Sequence, residues 1–317
     1  MMKIAIRNRR QWPILIGIAA FCWLGTACDG AAAEAKERSS TAGIFTLGLV
    51  SQVNRSAIEA HFSDFAAYVA RKLSPRPGLQ GKVAVAATPT EMVKLLQQKA
   101  VDYYFESAYA TYVINNVHGA GRARLRRWKG GLAEYQSLIF SSRKGGIGRL
   151  QDLHGKTIVF EDPGSTSGYL LPKFFLLRNG FKLVERARPD SAQAPAEAVR
   201  YFFAYSQVKL IDLVAREAGH AGAFSNQDYE DLDEKKKAEF TVLAQTERLP
   251  RHLVSIRADL APELAARLEK ILLGMDSDDE GRRILNQTDH TTKFDMLPGG
   301  EEGMRRRLLE TFVAPEK

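Results

Sequence analysis

Extended and helical segments alternate along this chain from residue 44 to about residue 275, and that order restricts the fold more than any other feature. Extended candidates are IFTLGLV (44–50), KVAVAAT (82–88), VDYYFES (101–107), EYQSLIFSS (134–142), KTIVFED (156–162), AGAFS (221–225), FTVLAQT (240–246) and HLVSIRA (252–258). Helical patterns lie between them. In residues 56–74, Ile58, Phe62, Phe65, Val69 and Leu73 fall on one face. TPTEMVKLLQQKA opens with Thr88 as N-cap, Pro89 at the first helical position and Glu91 three residues on, a capping box. Residues 207–219 and 261–275 are also amphipathic. Strands alternating with helices predict parallel sheets covered on both faces. Roughly nine strands over some 270 residues predict two α/β lobes rather than one. With 45% hydrophobic residues among 317, the chain has ample core for them.

Open α/β sheets bind ligands beyond the carboxyl ends of their strands. Three such ends carry more polarity than a turn requires: YYFESAY, VFEDPGSTSG and GAFSNQDYE. EDPGSTSGYLLP (161–172) is the densest. Ser165 stands where a helix N-cap is expected, and Gly180 stops the following apolar run. The first N–H groups, near Thr166, Ser167 and Gly168, have no acceptor inside the helix. With the positive helix end and three hydroxyls, they make a cradle for a tetrahedral oxyanion. An ordinary cap needs one hydroxyl only, so cap and cradle both remain open readings. A nucleophile elbow, G-x-S-x-G, is excluded because Thr166 is central. A P-loop is excluded because no Lys follows at the required spacing.

The N-terminus has a basic start (Lys3, Arg7, Arg9, Arg10) and then an apolar run from Pro13 to Leu24, too short for a membrane span but suited to a signal peptide. The small residues and cysteine of LGTAC resemble a bacterial lipoprotein signal, with Cys28 as the lipidated first residue. Ordinary secretion with cleavage near Ala32 or Ala33 is the alternative. Removing residues 1–27 deletes four cations and no anion, so the formal charge falls from +8 to +4. That argues against nucleic acid as a partner. Cys22 leaves with the signal, so no disulfide framework forms. Residues 29–43, small and polar, read as a tether.

The blocks VDYYFESAYATYV, EYQSLIFSSRKGGIGRLQDLHGKTIVFEDPGSTSGYLLPKFFLLRNG, AGAFSNQDYE and LPRHLVSIRADLAPELAARLEKILLGM resemble, in this order, the phosphate/phosphite/phosphonate-binding proteins of ABC importers, the PhnD-like family, over about residues 44–313. The resemblance implies an α/β, two-lobed type II periplasmic-binding-protein fold. Each lobe would be a mostly parallel sheet flanked by helices, and two hinge strands would join them. It divides the chain into a lipoprotein-type signal peptide (1–27), a flexible tether (28–43), a discontinuous lobe one (44–142 and 250–317) and lobe two (143–249). It implies that Ser165, Thr166, Ser167 and Gly168 hold a phosphorus oxyanion, faced from lobe one by Ser107 and Tyr109. The segment Asn226–Glu230, with Asn226 and Asp228 as candidate contacts, would read the rest of the ligand, and Glu106 is a further candidate contact that departs from the family. It implies a receptor that performs no chemistry, needs no cofactor or metal, and works in the periplasm as a monomer tied to a membrane through Cys28. Its partner would be an ABC permease in the inner membrane, or alternatively a membrane kinase or similar sensor partner. An enzyme on phosphate esters would need an oriented base or a metal cluster, and none stands out in the sequence.

Two departures mark this chain. Glu106 stands where many phosphonate binders have a small neutral residue. There it would either meet a ligand ammonium or point into solvent. Tyr205, Ser206 and Gln207 occupy a stretch where relatives often carry His or an acidic-Asn motif. The six histidines show no metal spacing. GRARLRRWKGG (121–131) reads as a solvated strand edge and loop, with ligand steering or contact with anionic lipid as alternatives. MDSDDEGRR (275–283) reads as a turn capping the next helix.

Overall fold

The computed structural model describes residues 43–313 except 53, 75–77 and 187–194. The signal sequence, Cys28 and the tether up to residue 42 lie outside these.

The strands are, in chain order, β1 (Ile44–Val50), β2 (Gln80–Ala86), β3 (Tyr103–Glu106), β4 (Gly121–Arg127), β5 (Glu134–Tyr135), β6 (Ser137–Ser142) and β7 (Thr157–Phe160). There follow β8 (Leu183–Glu185), β9 (Val199–Phe203), β10 (Ala221–Ser225), β11 (Phe240–Gln245), β12 (Leu249–Pro250), β13 (His252–Arg257) and β14 (Phe294–Met296). One six-stranded sheet has the order β14-β4-β13-β3-β1-β2, and a second has β11-β6-β10-β7-β9-β8. In the first, β1 is parallel to β2 and β3, while β13 runs antiparallel between β3 and β4 and β14 antiparallel to β4. In the second, β7, β8, β9 and β10 are parallel, and only β6 reverses. Each sheet is thus mixed, with most strands pointing one way.

Local chemistry explains the elements. The run IFTLGLV is buried at five consecutive positions, as a strand covered on both faces requires. The helix Arg55–Leu73 then turns Phe62, Phe65, Val69 and Leu73 onto the sheet. Its approach to β2 is close enough that a Cβ at Gly81 would collide with the carbonyl of Ala66. Thr88 accepts from the Glu91 amide at 3.1 Å, while Glu91 reaches back to the Ala87 N–H at 2.7 Å, one residue beyond the box expected. Asp278 caps the helix Asp279–Gln287 as anticipated, accepting from Gly281 at 2.6 Å.

The chain passes between the sheets twice, once between β4 and β6 and again between β11 and β13. The two passages are tied by the pairing of β5 with β12. Residues 137–142, placed with lobe one from sequence, belong to the second sheet, where β6 pairs with β10 and β11. GRARLRR is not a sheet edge: β4 lies between β13 and β14. Its alternate residues Gly121, Ala123, Leu125 and Arg127 are buried. Each sheet has its own apolar core. A further cluster joins Leu171 of the helix Leu171–Arg178 to Leu249, Leu253 and, from the C-terminal helix Gly300–Phe312, Leu308 and Phe312.

Candidate functional site

β7 ends at Phe160, and the chain turns through Asp162–Gly164 into a helix whose first turn, Thr166–Leu170, is π-helical. Pro172 explains the wide turn, because proline has no N–H to return to the Gly168 carbonyl. That carbonyl instead accepts from Glu161 N at 3.1 Å, which pins the turn to the end of β7. Ser165 is the N-cap: its Oγ accepts from Gly168 N at 2.9 Å and donates to Glu161 Oε2 at 2.8 Å. The cap therefore uses the Gly168 amide, and because the Ser165 carbonyl accepts from Leu170 N at 3.0 Å, the amides of Thr166, Ser167 and Tyr169 have no acceptor within the helix. No side chain fits at Gly168, where a Cβ would meet Glu161 and Ser165 at 2.5–2.7 Å.

Thr166 is buried and donates to Ser107 Oγ at 3.1 Å. Ser107 follows β3 in the first sheet, so this bond crosses from one sheet's strand end to the other's. Nearby in β5, Tyr135 is buried, and Arg251 stacks over its ring at 4.6 Å. The Ser167 carbonyl accepts from Ser137 Oγ at 2.6 Å.

Glu106 is buried rather than set in solvent. Its Oε1 accepts from Val50 N at 2.7 Å and its Oε2 from Ser107 N at 3.1 Å. Burial pushes its pKa up to about 7, against the pull of those two amides and of Lys129 and Arg127. The folded value lies above the ordinary 4.5, so the native state holds the proton more tightly than the unfolded chain. The resulting stability is fully present below about pH 4.5 and is lost as pH rises through about 7. We expect the unfolding free energy to fall by up to about 3 kcal/mol over that window. Urea titrations of the wild type and Glu106→Gln at several pH values test this. A variant with an equally steep pH dependence would refute the assignment.

Glu106 also lines a cavity of about 610 Å³ over the ends of β1, β3 and β4 and the start of the helix Arg55–Leu73. Arg127, Lys129, His252, His61 and Asp289 are in its wall, whereas none of Ser165–Ser167 is. Glu106, bonded to the Ser107 amide, connects the cavity to the Thr166 contact. Arg127 is fully buried, with Phe62 and Phe105 against its guanidinium at 5.5 and 5.2 Å. It donates to Thr291 Oγ1, the Thr288 carbonyl and Asp289 Oδ2 at 2.9, 2.9 and 3.1 Å. Burial, with Lys129, Arg127 and Arg251 nearby, pushes His252 well below the usual imidazole range.

The other expected residues bond or pack within the protein. Asn226 exchanges bonds with the Gln136 backbone, its Oδ1 accepting at 2.9 Å. Asp228 closes a capping box, accepting from Ser225 N and Oγ at 3.1 and 2.6 Å. Tyr109 packs its ring against Phe312 at 5.2 Å and Tyr112 at 6.2 Å. Glu161, Tyr135, Arg127, Lys129 and His252 were not singled out as site residues from sequence. Glu161 adjoins the serine-rich turn, and Arg127 and Lys129 fall in the basic stretch 121–131 for which ligand steering was one reading. Among the described residues no group of three or more metal-ligating side chains forms a site, and no helix is long and apolar enough to cross a membrane.

Two lobes with a polar seam between their strand ends define a solute-binding protein of the type II periplasmic kind. The model of the family described as "ABC transporter, phosphonate, periplasmic substrate-binding protein" matches residues 47–296, and the chain belongs to that family, one of transport components and not of enzymes. The phosphate-import protein PhnD of Mycolicibacterium smegmatis is 31% identical over 183 residues, 55% of this chain and 54% of that protein. The match thus spans about half the length of the curated relative. XAC2383 from Xanthomonas citri, solved with chloride and with ATP, superposes with TM-scores of 0.75 and 0.73 at 27% identity, over 84–85% of this chain and 95% of that one. A Prochlorococcus marinus protein, PhnD1, solved with methylphosphonate, shares the fold (TM-score 0.57, 17% identity, 84% of this chain and 98% of that one).

Proposed function

We propose that this protein is the extracytoplasmic solute receptor of an ABC importer and takes a small phosphorus oxyanion (phosphonate, phosphite or phosphate) between its lobes. The observation that carries the reading is the Thr166–Ser107 bond at 3.1 Å, which joins the serine-rich helix start of one lobe to the strand end of the other. A tetrahedral anion inserted there would draw the Thr166 and Ser167 amides and the hydroxyls of Ser165, Thr166, Ser167 and Ser107. Exclusion of water by lobe closure strengthens each such contact. The 31% identical relative is a phosphate importer, and XAC2383 has been solved with a phosphate-bearing anion, which supports the same chemistry here. The receptor would deliver its ligand to a membrane permease.

The test is a thermal-shift panel of phosphate, phosphite and methylphosphonate, with sulfate as control, on the chain from residue 29. A true ligand at a hundred times its Kd stabilises the fold by about 2.7 kcal/mol, seen as a raised Tm. No shift with any phosphorus oxyanion, or an equal shift with sulfate, would overturn the reading.

A further inference from the structure

The wall of the 610 Å³ cavity is built for negative charge. Lys129 lines it with a side chain about one-third exposed. Behind it lies Arg127, wholly buried, whose Nη1 has no hydrogen-bond partner among the described residues. His252 Nδ1, in the same wall, is likewise buried and unpartnered. The 19-residue helix Arg55–Leu73 starts at this cavity with no acidic residue in its first turn and no side-chain cap from Asn54. Such a start favours an anion. The two acids in the wall are already engaged. Glu106 spends one oxygen on Val50 N and the other on Ser107 N. Asp289 meets Arg127, Lys129 and His61 at 3.1, 3.3 and 3.4 Å. A ligand ammonium would find no uncommitted carboxylate there and would lie beside Lys129.

We infer that this cavity receives a second anionic group of the ligand, a carboxylate or a further phosphoryl, with Lys129 as its direct contact and Arg127 as the fixed charge behind it. The inference rests on the reading of Ser165–Ser167 as the phosphorus end. It makes the preferred solute an organophosphorus compound with two negative ends rather than an aminophosphonate.

Calorimetric titration with four probes tests it: methylphosphonate, phosphonoacetate (an added carboxylate), pyrophosphate (an added phosphoryl) and 2-aminoethylphosphonate (an added ammonium). Phosphonoacetate or pyrophosphate should bind at least tenfold tighter than methylphosphonate, and which one gains identifies the second group. In Lys129→Gln the ratio of the two Kd values should fall toward one, and Lys129→Arg should restore it. Equal binding of methylphosphonate and both doubly anionic probes overturns the inference and leaves the phosphorus site standing. So does tightest binding of 2-aminoethylphosphonate, or a ratio untouched by Lys129→Gln. Absence of binding by all four overturns the phosphorus site and the inference together.

Discussion

Alanine at Ser165, Thr166 and Ser167 together is expected to weaken binding of methylphosphonate or phosphate by two to three orders of magnitude, about 3–4 kcal/mol. Each hydroxyl that donates to a charged acceptor contributes about 1.5 kcal/mol or more, and neighbours in one cradle do not add fully. Thr166 should dominate, because it is buried and already aimed across the seam at Ser107. Ser165 has a second duty as the cap on Gly168 N, so the variant should also lose about 1 kcal/mol of stability. Titration calorimetry measures the first effect, and urea unfolding separates it from the second. Affinity within threefold of wild type in a cooperatively folded variant would move the phosphorus group elsewhere.

Phe105→Ala is expected to remove about 4–5 kcal/mol from the unfolding free energy. The side chain is fully buried and meets Phe65 at 5.2 Å, Phe294 at 5.6 Å and Tyr103 at 5.9 Å. Truncating a core phenylalanine costs about 3–5 kcal/mol, and its aromatic partners push the value to the upper part of that range. It also removes one of the two rings between which Arg127 is held. Phe105→Leu, which keeps most of the volume, should cost about half as much. A urea midpoint for Phe105→Ala corresponding to less than about 1 kcal/mol would show that this packing does not hold the cavity wall.

The parts legible in the sequence were those specified by neighbouring residues. Ser165 and Gly180 mark the start and the end of one helix within sixteen positions, and strands β1 and β10 fall where their apolar runs are. β4 was obscured by its arginines, although its alternation is regular. Arg122, Arg124 and Arg126 sit in the more exposed row, where Arg124 pairs with Glu269 and Glu301 and Arg126 with Asp295. Arg127 continues the buried row of Ala123 and Leu125, which no period-two reading of charge would assign to it. The cavity was invisible for a different reason. It draws on residues near 50, 58, 106, 128, 252 and 289, which only the insertion of β13 between β3 and β4 brings together. Asn226 and Asp228 matched a family pattern, and in the folded chain Asn226 accepts from the Gln136 backbone ninety residues away while Asp228 bonds to Ser225.

The ribbon of β5 and β12 has a mechanical consequence. Leu249 lies opposite Tyr135 and Pro250 opposite Glu134, with the Arg251 amide bonded to Ala133 at 2.9 Å. Sliding one half of the molecule past the other would tear this ladder, whereas bending across it leaves the rungs intact. Of the two displacements, bending is the one this ribbon opposes least, so opening and closing about it is the motion the connection permits.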